Sequence, residues 1–371
     1  MLLKPIAAYW QSIQLGLFPG IVAELSPATD KHLEIMVALD MIEIERFVRW
    51  QAPVPIRAGR PPIDRATLAR AFVAKAILNL ASTRALLDRL KVDVVLRRIC
   101  GFERRVPSEA TFSNVFAEFA AENLAERVHE SMVRRFYQDK IVGHVCRDST
   151  AITAREKCGL SHTKTEVKPE RQHRKSGRRK RDAPQPPPRA LKRLERHATM
   201  TVREMLDDLP KQCNKGGKED ARGNSTYWVG YKLHIDCGDG GVPLSCILAS
   251  ASLHDSQVAI ALEAKTAERV TSLYSLMDSA YDCQTIRTYV ESKGKVAIIA
   301  PHTQANGKKT PLCQARQQRY KVRTTIERVN GSLKDDLGGR QLRVRGHAKA
   351  FAHLMFGILA LTGERLITVF S

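Results

Sequence analysis

The chain changes period at Ile141. Ile141-Val142-Gly143-His144-Val145-Cys146 is a β-branched run closed by Arg147-Asp148-Ser149-Thr150, which reads as a buried strand with an acid at or just past its end. Strand character returns in Tyr227 to Cys237. Gly238-Asp239-Gly240-Gly241 is a turn signal, and Val242 to Ser250 is the partner strand. A helix is expected from Gln257 to about Arg269, then a short strand from Leu273 to Met277 with Asp278 at its end. A helix from Cys283 to Ser292 and a strand from Lys295 to Ala300, stopped by Pro301, complete the series. A hairpin beside βα units implies an α/β fold: a mixed sheet flanked by helices. In such sheets functional groups collect at strand ends.

Arg319 to Asp336 (RYKVRTTIERVNGSLKDD) reads as one long helix. At about 100° per residue, Tyr320, Arg323, Glu327 and Lys334 fall on one stripe. Val322, Ile326, Val329, Leu333 and Leu337 fall opposite and offer an apolar seam to a core. Gly331 in mid-helix costs about 1 kcal/mol. A carboxylate among cations suits a site where metal meets phosphate: Glu327 can hold a divalent ion while Arg323 and Lys334 neutralise phosphate oxygens. A solvated charged face with incidental ion pairs reads the same way.

The formal net charge of +21 points to a polyanionic partner, nucleic acid before an acidic membrane surface. The eight cysteines are scattered without a C-x-x-C pair, which argues against a zinc module and a secreted disulfide scaffold and for a reducing cytoplasm. The N-terminal residues show no secretory signal. The most apolar segment, Ala350 to Leu361, contains His353 and reads as a buried helix; no membrane association is expected.

Residues 1–140 read as a helical N-terminal domain. Asp64 is expected to cap a helix over Ala66 to Leu80, and Ser108 one starting at Glu109. Such a domain serves DNA binding, dimerisation or packing equally well. Residues 155–224 read as a basic insertion, dense in Lys and Arg and containing PQPPP, which cannot bury enough apolar surface to fold alone. One short helix is expected near Met200 to Leu209. Arg178, Arg179 and Lys180 within the insertion are candidate DNA-phosphate contacts. A closing helical segment, 346–371, is expected to pack on the catalytic domain.

Three acids stand out by position: Asp148, Asp278 and Glu327. Oxygen donors converging from two strand ends and a covering helix suit Mg²⁺ or Mn²⁺. The element order resembles the RNase H-like fold of DDE transposases and retroviral integrases. Tyr320, Arg323, Glu327 and Lys334 match the Y-(2)-R-(3)-E-(6)-K signature of bacterial transposases of the insertion-sequence-four type. RDST at Asp148, HDSQ at His254 and MDSAYD at Asp278 also look like that family's surroundings. RPPIDRATLARAFVAKAILNL and PSEATFSNVFAEF are similar to its helical N-terminal domain. The resemblance implies an RNase H-like catalytic domain over 141–345 and a metal triad of Asp148, Asp278 and Glu327 holding two divalent ions. It also implies Tyr320, Arg323 and Lys334 as DNA contacts near the cleaved end, with double-stranded DNA and a homo-oligomer as partners. His254 and Asp255 read instead as a core-facing histidine and a helix cap, and Asp282 as a supporting group or cap. An RNase H-like nuclease without strand transfer, or a basic DNA-binding protein lacking catalysis, are the other readings. The interval between Asp278 and Glu327 is too short for the β-rich insert that some relatives carry there.

Overall fold

The computed structural model describes residues 28–48, 63–103, 105–158, 191–219, 224–302, 311–340 and 342–370. Arg178, Arg179 and Lys180 therefore lie outside the described residues.

Helices come first: α1 (Asp30–Ile42), α2 (Arg65–Ile77), α3 (Thr83–Val92), α4 (Val94–Cys100), α5 (Glu109–Ala121) and α6 (Leu124–Tyr137). Their starts follow side-chain chemistry. Asp64 accepts from the Ala66 and Thr67 amides, Ser82 from Ala85, Asp93 from Leu96 and Ser108 from Thr111. The Asp93 cap separates α3 from α4. Asn123, in the left-handed region at φ 50°, separates α5 from α6.

The sheet follows. β1 (Ile141–Thr153), β2 (Asn214–Glu219), β3 (Ser225–Cys237), β4 (Pro243–Ser250), β5 (Thr271–Met277) and β6 (Val296–Ile299) form one six-stranded sheet in the order β2-β3-β1-β5-β6, with β4 also on β3. β1 runs antiparallel to β3 and parallel to β5, and β5 parallel to β6. This is the mixed sheet expected. α9 (Ala259–Ala267) and α10 (Gln284–Ser292) belong to a core on one face, with β4 and β6 residues.

Three expectations are corrected. β1 does not stop near Cys146; it continues to Thr153, so Asp148 sits inside a strand, opposite Ile235 of β3. The polar run that looked like a strand end is an internal pairing: Arg147 is buried and bonds Asp236 at 2.7 and 2.8 Å and Glu263 at 2.9 Å. The insertion holds more than the one short helix expected near Met200 to Leu209. It contains α7 (Arg193–His197), α8 (Val202–Asp208) and β2, which pairs with the first half of β3. The long helix of the Y-R-E-K residues is α11 (Gln314–Tyr320), a 3₁₀ turn over Lys321–Arg323, and α12 (Thr324–Asp335). α13 (His347–Phe370) packs into α6, α2, α5 and α1, and also against α12 and β4.

By length and composition α13 is apolar enough to cross a membrane, yet most of it is buried inside the protein. It joins the helical half and the α12 face of the sheet into one continuous core, from Ile35, Phe72, Phe116 and Met132 to Ile152, Ile235 and Leu333.

Gly230 shows how tightly β1 and β3 cross. Its φ is +154°, and a Cβ there would stand 2.1 Å from the Ile152 carbonyl oxygen. Only glycine lets the two backbones approach this closely where β3 passes from β4 to β2.

Candidate active site

The β1–β5 register builds half of the site. Cys146 pairs with Leu276; two residues further on each chain stand Asp148 and Asp278. With a side-chain period of two, both carboxylates emerge at equivalent positions at the end of the parallel pairing. Asp278 also caps the 3₁₀ turn over Ser279–Tyr281, accepting from the Ala280 amide at 3.0 Å.

α12 supplies the rest. Ile326, Val329 and Leu333 are buried, and the helix lies on β1 and β3, so its opposite face looks over the strand ends. Arg323, in the tight turn before it, gathers all three acids. Its Nη2 lies 3.4 Å from Asp148 Oδ1 and 3.7 Å from Asp278 Oδ2, and Nη1 donates to Glu327 Oε1 at 3.1 Å. The two aspartates are thus no farther apart than the two distances to one shared nitrogen together. Asn330, one helical turn past Glu327, donates to Asp148 Oδ2 at 3.2 Å.

Charge at the site is under-compensated: three carboxylates share one guanidinium. Burial, with Asp278 adding to it against the pull of Arg323, pushes the Asp148 carboxyl up to about 6. Burial also raises Asp278, again opposed by Arg323. Glu327 is the open member, its side chain 60% exposed against 15% for Asp148.

Cations gather next to the acids. Burial lowers the Lys334 ammonium, helped by the positive charges of Arg340 and Lys218. Lys218 in turn bears electrostatically on Asp148 and Asp278. Tyr320, half-buried at the end of α11, is raised by burial and lies within the field of Arg323 and the three acids. All the sequence-derived candidates that fall among the described residues therefore share one neighbourhood.

Two other expectations change. His254 is exposed and is itself the cap, its Nδ1 facing the Ser256 amide and hydroxyl. Asp255 is the more buried of the two and pairs with Lys232 at 2.9 Å. Asp282 does not cap α10. It holds Arg287 at 2.7 Å and accepts from the His302 amide at 2.8 Å, tying down the chain after β6.

Sequence reasoning missed Asn330 and Lys218. Asn330 lies three residues beyond Glu327, on the same helical face, and that spacing was a usable signal. Lys218 carried none, because β2 lies in a segment whose composition reads as unfolded.

Two family models cover the chain. The transposase DDE domain matches residues 144–362, and a transposase domain of the DUF772 type matches residues 23–118. The first alone spans more than half of the chain. This chain belongs to the DDE transposase family. No curated protein and no solved structure matches it. In this transposase the first match begins in β1 and ends within α13, so it contains all three acids.

A divalent ion fits the donors of the transposase in chemistry: they are all oxygen, and their charge exceeds what Arg323 balances. Among the described residues, however, no three His, Cys, Asp or Glu side chains already stand close enough to grip an ion. The carboxylates instead face one another across the Arg323 guanidinium.

Proposed function

We propose that this transposase cuts DNA at the ends of an insertion sequence and joins the freed ends to target DNA, with Asp148, Asp278 and Glu327 as its catalytic carboxylates. The observation that carries the reading is their convergence, from β1, β5 and α12, on the single guanidinium of Arg323. Asp148, Asp278 and Glu327 would hold Mg²⁺ or Mn²⁺, two ions by the two-metal logic of phosphodiester chemistry. Ions bound there supply Lewis-acid polarisation of the phosphate and activation of the attacking oxygen.

The chain's own residues do the remaining work. Arg323 and Lys334 take phosphate oxygens, Arg323 exchanging carboxylate partners for the strand. Tyr320 positions the strand beside the cleaved end. Asn330 holds Asp148 in the orientation that keeps Oδ1 toward the cleft. Hydrolysis at the element end and attack by the freed 3′-hydroxyl are both in-line displacements at phosphorus, so one cleft serves both. The spacing of Tyr320, Arg323, Glu327 and Lys334 supports a transposase of the insertion-sequence-four type, acting as a homo-oligomer that brings two element ends together.

Asp148→Asn, Asp278→Asn or Glu327→Gln should each abolish Mg²⁺-dependent cleavage of an end-containing duplex while leaving duplex binding within about twofold. Full cleavage by the Glu327→Gln protein refutes the assignment. Supplying pre-cut ends and a plasmid target separates the activities: joined products mark a transposase, and cutting without joining marks a nuclease.

A further inference from the structure

Away from the acids, between the helical bundle and α13, lies a cavity of about 370 Å³. Lys75 of α2 lines it, 7% exposed. Among the described residues nothing accepts a hydrogen bond from its ammonium and no carboxylate pairs with it. Burial alone pushes that amine down to about 8, and its charge helps to hold His353, on the same wall, down at about 4 after burial.

A buried cation without a counter-ion is costly. The surroundings make this one costlier still. Arg343, Arg345 and Lys349 also line the cavity, the two arginines exposed. The first turn of α3 contributes Ser82 and Thr83, with the positive end of its helix dipole. The one acid on the lining, Glu109, is paired with Arg84 at 3.3 Å. The walls near Lys75 are Phe72 and Phe116. A cavity with an unpaired amine inside, a cationic mouth and a helix N-terminus on its wall is built for an anion.

We propose that this cavity is a phosphate-binding site separate from the carboxylate cleft, with Lys75 as the inner contact and Arg343, Arg345 and Lys349 at the entrance. Its ligand is a phosphate group, carried either by a DNA strand or by a small phosphate ester. In sequence the entrance residues Arg343, Arg345 and Lys349 follow closely on Lys334, near the end of α12.

The test is acylation of Lys75 in the full-length protein near the amine's own midpoint, followed by peptide mass spectrometry, with exposed Lys91 as internal reference. Inorganic pyrophosphate and a short blunt duplex are the two protecting agents, each compared with chloride at equal ionic strength. Protection of about tenfold, the scale of one charge-assisted contact, is expected from at least one. Protection by the duplex alone assigns the site to a strand; protection by pyrophosphate, with or without the duplex, assigns it to a free phosphate ester as well. No protection by either overturns the proposal. Calorimetry on Lys75→Met gives a second reading. The protecting agent should bind about tenfold more weakly with no fall in melting temperature, because the change removes an unpaired charge. Unchanged affinity in a folded Lys75→Met protein also overturns it.

Discussion

Arg147 and Asp148 are neighbours with opposite roles, because adjacent strand residues point to opposite faces. Asp148 looks to α12 and the cleft. Arg147 looks to α9 and neutralises Glu263 of that helix together with Asp236 of β3; Lys295 completes the group at 2.8 Å from Glu263. Arg147→Leu leaves buried carboxylates short of a partner and should cost about 3–5 kcal/mol in denaturant unfolding. A loss below 1 kcal/mol would show that the group relaxes or draws in water. His234 makes the pH case. It is buried, neither ring nitrogen has a hydrogen-bond partner among the described residues, and burial holds it down at about 4 from an ordinary 6.5. Above pH 6.5 the ring is neutral folded or unfolded and contributes nothing to pH dependence. As pH falls from 6.5 toward 4 the unfolded chain takes up a proton that the folded one refuses, so stability drops by up to about 3 kcal/mol. Urea melts at the two ends of that window should show a smaller drop in His234→Leu than in the wild type; equal drops would acquit this residue.

At the scale of elements, five of the six strands were readable because each pairs an apolar run with a turn or helix signal. What stayed hidden had a common cause. Arg147, Asp148 and Thr150 continue β1 although they are polar, because their partners are supplied from distant strands and helices, and no local pattern encodes that. β2 was invisible for the same reason: NKGGKE has little strand propensity and stands by pairing with β3. The carboxylates of the candidate site were legible from position and spacing, and Asn330 could have been from its spacing to Glu327, whereas Lys218 and the Arg323 bridge depend on tertiary placement. Gly230 tests the element argument. Gly230→Ala should push β3 from the Ile152 carbonyl and cost about 2–4 kcal/mol. The loss should fall on amide protection in β2 and the adjoining half of β3, read by hydrogen exchange. Uniform loss across the sheet would mean that β2 is no separate dependent of that crossing.

At the scale of the whole molecule, α13 is the shared element. Leu359 and Leu361 are fully buried in it, as are Leu333 of α12 and Leu68 of α2 in the same core. Leu359→Ala should therefore cost about 2–5 kcal/mol and lower a single unfolding transition common to both halves. Two separated transitions in calorimetry would show that the helical half and the sheet half fold independently.

That same helix sets a timetable for synthesis. The bundle formed by residues 30–137 closes around a segment that leaves the ribosome only after residues 347–370 have been made, so the earliest helices wait, with their apolar faces uncovered, for the arrival of the latest. The Asp148–Asp278–Glu327 cluster, whose α12 rests on α13, is completed by the same late event.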